Sequence, residues 1–187
     1  MAKEAQSTGT RSWSGWRIAG WSVAALLLLL PLAAMQLTDE VTWTGFDFAF
    51  MAVVFGLVGL GLEFLVRKSG SLAYRVGGVV ALVVSLLTIV VNGAVGMIGS
   101  EGNPYNLLFG GVLAIALIGA IVARFGPGGM ARAMAAAAIA QAALGALGLP
   151  TDPLGGVCSM AFAAPWLLAA VLFRKAAWEQ VLAGEAS

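Results

Sequence analysis

The sequence predicts an all-α polytopic membrane protein, a bundle of about six transmembrane helices with both termini on the cytoplasmic side. Hydrophobic residues make up 60% of the 187-residue chain and charged residues 10%. These charged residues are too few to cover the surface of a soluble domain. Several long runs also approach the roughly 20 apolar residues that a helix needs to cross a bilayer. Finally, all lysines and arginines fall on one side of the six predicted spans.

The predicted spans are continuous runs rich in Ala, Leu and Val, unlike the alternating strands of a membrane β-barrel. They cover residues 18–37, 48–66, 76–99, 107–123, 131–149 and 157–173. The bundle is therefore expected over residues 17–175, with cytoplasmic tails at 1–16 and 176–187. The first run is longer than the apolar core of a cleaved signal peptide and is taken as a span. Pro31 in the first span and Pro165 in the sixth are expected to kink their helices.

The orientation follows from the basic residues of the short loops, which concentrate on the cytoplasmic side of membrane proteins. The alternate loops contain no basic residue and hold the acidic residues of the predicted outer face. Aromatic residues such as Tyr74 and Tyr105 lie near predicted span ends, as expected of interfacial anchors. The predicted basic side carries Lys3, Arg11, Arg17, Arg67, Lys68, Arg75, Arg124, Arg132, Arg174 and Lys175.

Small and polar residues at helical spacing predict which faces pack, because helices in lipid associate through close backbone approach and interhelical hydrogen bonds. Spans two, three and five carry such stripes and are predicted to form the centre, with spans one, four and six peripheral. A hydrogen bond between the Asn92 and Gln141 amides, at similar depths in spans three and five, is a further hypothesis. The stripes are Ala49, Ala52, Gly56, Gly59 and Glu63; Gly78, Ala81, Ser85, Thr88, Asn92, Gly96 and Gly99; and Ala138, Gln141, Gly145 and Gly148.

The acidic residue inside a predicted span, Glu63, is a candidate functional group, because an intramembrane carboxylate is costly. It also lies four residues before Arg67, the spacing of a helical ion pair. Both interpretations stay open at this point. With Glu63, the candidates for lining a transport path are Ser85, Thr88, Asn92 and Gln141.

The outer loops gather carboxylates, amides and hydroxyls, most densely from Asn92 to Asn106. Such oxygens suit Ca²⁺ or Mg²⁺ or a cation-attracting mouth. Ser100, Asn103 and Asn106 are equally typical of helix caps and turns, and we predict no metal site. The acidic residues of this face are Asp39, Glu40, Asp47, Glu101 and Asp152.

The chain lacks the residues that most membrane enzymes use for catalysis. The chain has no histidine and a single cysteine, Cys158, which excludes a Ser–His hydrolase, an HExxH metalloprotease and His-ligated haem. No phosphate-binding or dinucleotide fingerprint is present. The sequence therefore predicts no catalytic residue, no cofactor and no nucleic-acid partner.

Three loop segments carry a resemblance to known proteins: Arg124-Phe-Gly-Pro-Gly-Gly-Met-Ala-Arg132, Thr38-Asp-Glu-Val-Thr-Trp43 and Leu172-Phe-Arg-Lys-Ala-Ala177. The chain resembles a family of small, uncharacterised, multi-spanning bacterial inner-membrane proteins. The resemblance implies a bacterial inner-membrane location and no activity.

Two functions from different classes remain. The first is a non-catalytic accessory, assembly or scaffold component that contacts lipid and either a partner subunit or further copies of itself. The second is a small oligomeric transporter or channel for a cation or small solute. A water-filled cavity reaching Glu63 would favour transport, whereas dry packing of Gly and Ala would favour the accessory role.

Overall fold

The computed structural model describes residues 15–39 and 41–185, and within these ranges the structure is helical with no β-strand. Five helical segments are long and apolar enough to cross a membrane, and a shorter apolar helix covers Ile18–Ala34. The predicted fold class, a polytopic helical membrane protein, is confirmed. Glu40 and most of the predicted N-terminal tail lie outside the described residues.

The described residues form seven α-helices, in chain order α1 (Gly15–Ala34), α2 (Gly45–Lys68), α3 (Leu72–Ala94), α4 (Leu108–Val122), α5 (Pro127–Gly148), α6 (Pro153–Ala161) and α7 (Ala163–Glu185). A short 3₁₀ turn, Pro104–Leu107, leads into α4. Helix α7 runs through most of the predicted C-terminal tail, and with α6 it forms one apolar segment of 33 residues.

The break between α6 and α7 falls at Phe162 and follows from Pro165. Proline has no backbone N–H, so the carbonyl of Ala161 lacks its usual donor four residues on. Pro31, in contrast, lies inside α1, which continues for three residues beyond it. The break bends the sixth span and exposes the last carbonyls of α6 to other donors.

The chain divides into two compact units, Met1–Gly59 and Leu60–Ser187, with the boundary inside α2. In the first unit Thr44 and Asp47 form a reciprocal cap at the start of α2. The Thr44 N–H and hydroxyl both donate to the Asp47 carboxylate at 2.7 Å, and the Asp47 N–H donates back at 3.4 Å. The ring of Trp21 lies against Gly59, about 2.8 Å from where a Cβ would stand.

In the second unit α5 packs against α4, α6 and α7, and α3 packs against α7. The largest buried side chains include Trp166 and Phe173 of α7, both fully inaccessible. The prediction that the sixth span is peripheral is therefore wrong. Small-residue spacing missed it because a bulky aromatic side chain fills the core as effectively as close backbone approach does.

The three predicted stripes of small residues differ in how much of each is buried. All four stripe positions of α5 are buried, as predicted. On α3 Gly78 and Thr88 are buried, whereas Gly99 is exposed in the loop beyond the helix. On α2 Ala49 and Ala52 are exposed, which contradicts the prediction that this stripe is central within the chain.

Helices α5 and α6 approach through glycine. A Cβ on Gly145 would stand 2.7 Å from the Met160 amide nitrogen and 2.8 Å from the Gly156 carbonyl oxygen. A Cβ on Gly156 would in turn stand 2.9 Å from the Gly145 carbonyl oxygen. Neither contact leaves room for a side chain, so glycine at both positions sets the distance between these two backbones.

Candidate functional site

The polar loop between α3 and α4 folds into the second unit. Gly96 and Gly99 adopt positive φ angles of 79° and 74°, which side-chain-bearing residues rarely adopt. Between them Met97 and Ile98 are buried. The two glycines thus allow the chain to turn and insert two apolar side chains at this end of the bundle.

Asn106 holds this loop from within. Its buried side-chain oxygen accepts hydrogen bonds from the backbone N–H groups of Met97 at 3.1 Å and Ile98 at 2.9 Å. Its amide nitrogen donates to the carbonyls of Ser100 at 2.8 Å and Ile98 at 3.3 Å. Asn103 donates to Ile98 at 3.0 Å and caps the 3₁₀ turn. The densest polar segment of the sequence is thus engaged in holding its own backbone, as the capping interpretation predicted.

Asp152 joins this loop to α6. Its carboxylate accepts from the Gly155 N–H at 2.9 Å as the helix cap and from the Gly99 N–H at 2.8 Å across the gap between loops. These hydrogen bonds, first that of Gly155 and then that of Gly99, hold the pKa of Asp152 below its usual range. Near the end of α6, the Ser159 hydroxyl donates to the Met97 carbonyl at 3.1 Å.

The hypothesis that Asn92 and Gln141 bond to each other is wrong. The Asn92 amide nitrogen donates to the Asn106 carbonyl at 2.9 Å, and that of Gln141 donates to the Ser159 carbonyl at 3.1 Å. The side-chain oxygens of both residues are buried and have no hydrogen-bond partner within the described chain. The carbonyl bonded by Asn92 belongs to the 3₁₀ turn before α4, and the carbonyl bonded by Gln141 belongs to the last turn of α6. Carbonyls at helix ends have no partner within the helix, so they are available to accept these hydrogen bonds.

The hydroxyl groups of Ser85 and Thr88 donate to carbonyls one turn back in α3, those of Ala81 at 2.7 Å and Val84 at 2.8 Å. Thr88 is buried and Ser85 half-buried. Both hydroxyls are therefore satisfied by their own helix, the usual arrangement for such residues in membrane spans. They do not join Asn92 and Gln141 in one polar surface.

Glu63 forms the ion pair that its spacing predicted. An Arg67 guanidinium nitrogen lies 3.2 Å from its carboxylate oxygen. The Arg67 side chain is 72% exposed and that of Glu63 is 16% exposed, so the pair lies at the edge of the bundle.

The acidic residues of the predicted outer face occupy different positions and do not form one cluster. Asp47 and Asp152 cap α2 and α6, Asp39 and Glu101 are exposed, and Glu40 lies outside the described residues. Within the described ranges no three acidic or cysteine side chains come together as a metal ion would require.

Among the described residues of the second unit, two cavities with apolar linings bear on the transport hypothesis. One, of about 630 Å³, follows the break between α6 and α7 and is lined by residues such as Val83, Cys158 and Phe162. The other, of about 170 Å³, lies among α3, α4, α5, α7 and the end of α2. Ser85 lines the second cavity, but Glu63, Thr88, Asn92 and Gln141 line neither of them.

Comparison of the chain with models of protein families, with curated proteins and with solved structures found no match.

The sequence did not predict the hydrogen bonds of two tyrosines or the backbone conformation of the turn before α5. Tyr74 and Tyr105, predicted as interfacial anchors, donate from their hydroxyls to the carbonyls of Phe125 and Leu144, each at 2.8 Å. Arg124 and Phe125 adopt positive φ angles of 49° and 57° in the turn before α5. The Gly-Pro-Gly-Gly sequence that follows signals a turn there, but it does not locate the strain on the two residues before it.

Proposed function

We propose that this protein is a non-catalytic accessory, assembly or scaffold component of a bacterial inner membrane, with both termini in the cytoplasm. The location is supported by the one-sided basic residues and by the resemblance of its loop segments. The role is supported by the way the chain uses its intramembrane polar groups. The observation that carries it is that Ser85, Thr88, Asn92 and Gln141 all donate to backbone carbonyls.

A transport path would need several polar side chains facing one shared, hydrated space. Here the hydroxyls bond within α3, and the amides bond to two different backbone segments. The two apolar cavities leave out four of the five candidate transport residues. This arrangement fits a chain that uses polar groups to fix its own fold, which favours the accessory role over transport.

Glycines with open space beside them support a partner in the membrane. A Cβ added to Gly56 in α2 or Gly110 in α4 would meet no atom within 4 Å. Glycine is costly inside a helix, and small residues in membrane helices mark places where another helix approaches closely. These two positions are where we expect a partner subunit or a further copy to contact the chain.

The test is purification of the tagged full-length protein from its native membrane in mild detergent, with quantitative mass spectrometry of the co-purifying proteins. We expect one partner protein at fixed stoichiometry. Gly56→Leu and Gly110→Leu, made where an added Cβ meets no atom of the chain within 4 Å, are expected to reduce the recovered complex severalfold.

The matched control is Leu108→Phe, which enlarges an exposed apolar side chain of α4 on the side of the helix away from Gly110. It is expected to leave the complex intact. Recovery of the chain alone or as a homo-oligomer, without a stoichiometric partner, would contradict the accessory role. Ion or solute flux through liposomes containing the chain in that form, abolished by Glu63→Gln, would establish the transport alternative.

A further inference from the structure

Three arginines lie on the chain segments that form one end of the smaller cavity. The rings of Phe64 and Phe125, both of which line it, meet edge to face with their centroids 4.8 Å apart. Arg67 follows Phe64 by one helical turn, and Arg124 directly precedes Phe125 in the strained turn between α4 and α5. The contact between the two rings therefore places the backbones of Arg67 and Arg124 near each other.

Arg75 belongs to the same place. Its guanidinium donates to the carbonyls of Ser69 at 2.7 Å and Val66 at 3.1 Å, which fixes it beside the end of α2. The preceding residue, Tyr74, donates to the Phe125 carbonyl. We refer to Arg67, Arg75 and Arg124 as the arginine cluster.

The cluster has excess positive charge. Glu63 is paired with Arg67, and the Glu179 carboxylate accepts from the Ser71 hydroxyl at 2.7 Å near Arg75. The exposed Arg124 forms no ion pair within the described chain, so the three arginines outnumber these two carboxylates by one. Arginine forks bind phosphate oxygens through paired charge-assisted hydrogen bonds, and basic pockets between membrane helices bind anionic lipid head groups. An anionic partner at the membrane surface is therefore the complement of the cluster.

The cavity beside the cluster is apolar. It has a volume of about 170 Å³, is open to the surface rather than enclosed, and is lined mainly by side chains such as Leu82, Leu113 and Met134. The Ser85 hydroxyl at its wall is already bonded within α3. An engineered cavity of about 150 Å³ holds benzene, so this volume suits a segment of on the order of six carbons of an acyl chain.

We propose that this end of the second unit binds one anionic phospholipid, with its phosphate on the arginine cluster and part of one acyl chain in the cavity beside the Phe64–Phe125 pair. The proposal goes beyond the accessory role and does not depend on it. A phospholipid can contact both the arginine cluster, through its phosphate, and the apolar cavity, through an acyl chain. A free phosphate could contact only the cluster, and a hydrocarbon could contact only the cavity.

Trp166 provides a probe, because it lines the same cavity. The experiment replaces the five other tryptophans with phenylalanine in the full-length chain. The delipidated protein is then titrated in detergent with phosphatidylglycerol or phosphatidylcholine that carries a nitroxide on one acyl chain. Trp166 fluorescence is expected to be quenched at about tenfold lower phosphatidylglycerol than phosphatidylcholine, the preference expected from one charge-assisted contact.

Arg124→Gln is expected to remove about tenfold of this preference. Arg132→Gln is the matched control, since it also removes an exposed arginine from the basic side. Arg132 lies on the face of α5 opposite to Met130 and Met134, which line the cavity. It is expected to leave the preference unchanged. If the multiple tryptophan replacement prevents folding, native mass spectrometry of retained phosphatidylglycerol makes the same comparison with all tryptophans in place.

Three results would overturn the proposal. Equal quenching by the two lipids would show that the arginine cluster does not recognise the head group. Equal loss of preference in Arg124→Gln and Arg132→Gln would reduce it to general surface charge. Head-group preference without quenching of Trp166 would place the acyl chain outside the cavity.

Discussion

The carboxylate of Asp152 accepts a hydrogen bond from the backbone N–H of Gly99 at 2.8 Å, joining two loops that are 53 positions apart. Gly99 lies in the loop after α3, directly beyond the buried Ile98, and Asp152 is the N-terminal cap of α6. This bond, together with that from Ser159 to Met97, fastens the loop to α6. The acidic side chain that seemed a candidate for cation binding is therefore part of the structure of this end of the bundle.

Asp152→Asn is expected to remove a pH-dependent part of the stability. The folded-state pKa of Asp152 lies below its ordinary value of 3.8, so its stabilising contribution is present above that value and is lost as the pH falls through the folded pKa. Wild type should be more stable than Asp152→Asn at neutral pH, and the difference should vanish in acid. Thermal unfolding in detergent over a pH series measures it.

Glu101→Gln is the control for that series, because it removes an exposed carboxylate from a neighbouring loop and corrects for the general effect of one negative charge. A constant difference between wild type and Asp152→Asn at every pH would contradict the role of the ionised carboxylate.

Asn106→Ala is expected to loosen the loop after α3. The substitution leaves the buried N–H groups of Met97 and Ile98 without their acceptor, at a cost of at least about 2 kcal/mol. Hydrogen exchange of these two amides should accelerate strongly. Asn103→Ala, which removes the cap of the 3₁₀ turn, is expected to cost about 1 kcal/mol. Unchanged exchange at Met97 and Ile98 in Asn106→Ala would disprove the anchoring role.

Gly145→Ala tests the close approach of α5 and α6. Its methyl group would press on the Met160 amide and the Gly156 carbonyl, backbone atoms that cannot move aside independently. We expect a loss of about 1–3 kcal/mol in the free energy of unfolding. Gly110→Ala, made where a methyl group meets open space, should change it by no more than about 1 kcal/mol. Equal effects of the two substitutions would show that helix propensity, not packing, sets the result.

The Glu63–Arg67 pair is expected to contribute little to stability. Because Arg67 is largely exposed, solvent screens the interaction, and the coupling energy should not exceed about 0.5 kcal/mol. A double-mutant cycle of Glu63→Gln and Arg67→Gln, measured by unfolding in detergent, isolates this energy. A coupling of several kcal/mol would mean that the carboxylate is held in a much less polar setting than the structure gives it.

Local patterns predicted local structure well. Apolar runs of sufficient length predicted membrane-spanning helices, and a spacing of four residues predicted the pairing of Glu63 with Arg67. The stripe on α5 predicted its buried face, since helical periodicity fixes which residues lie together. The capping interpretation of Asn103 also proved correct, because a cap requires only its own neighbouring residues.

The candidate transport residues were the least predictable. Periodicity can place Asn92 and Gln141 on the faces of their helices, but it cannot say which backbone carbonyls approach those faces. Asn92 finds a carbonyl beyond the folded loop, and Gln141 finds one near the break that Pro165 causes in the sixth span. Their partners depend on irregular segments that have no sequence period.

The sequence by itself determined that this chain forms apolar helices and that α5 buries one small-residue face. Length, composition and helical spacing are sufficient for these properties. Only the tertiary structure decided that α7, with Trp166 and Phe173, belongs at the centre, and that the polar residues bind backbone. Both outcomes depend on which helix faces meet, because packing is a property of pairs of surfaces and each helix sequence describes only one of them.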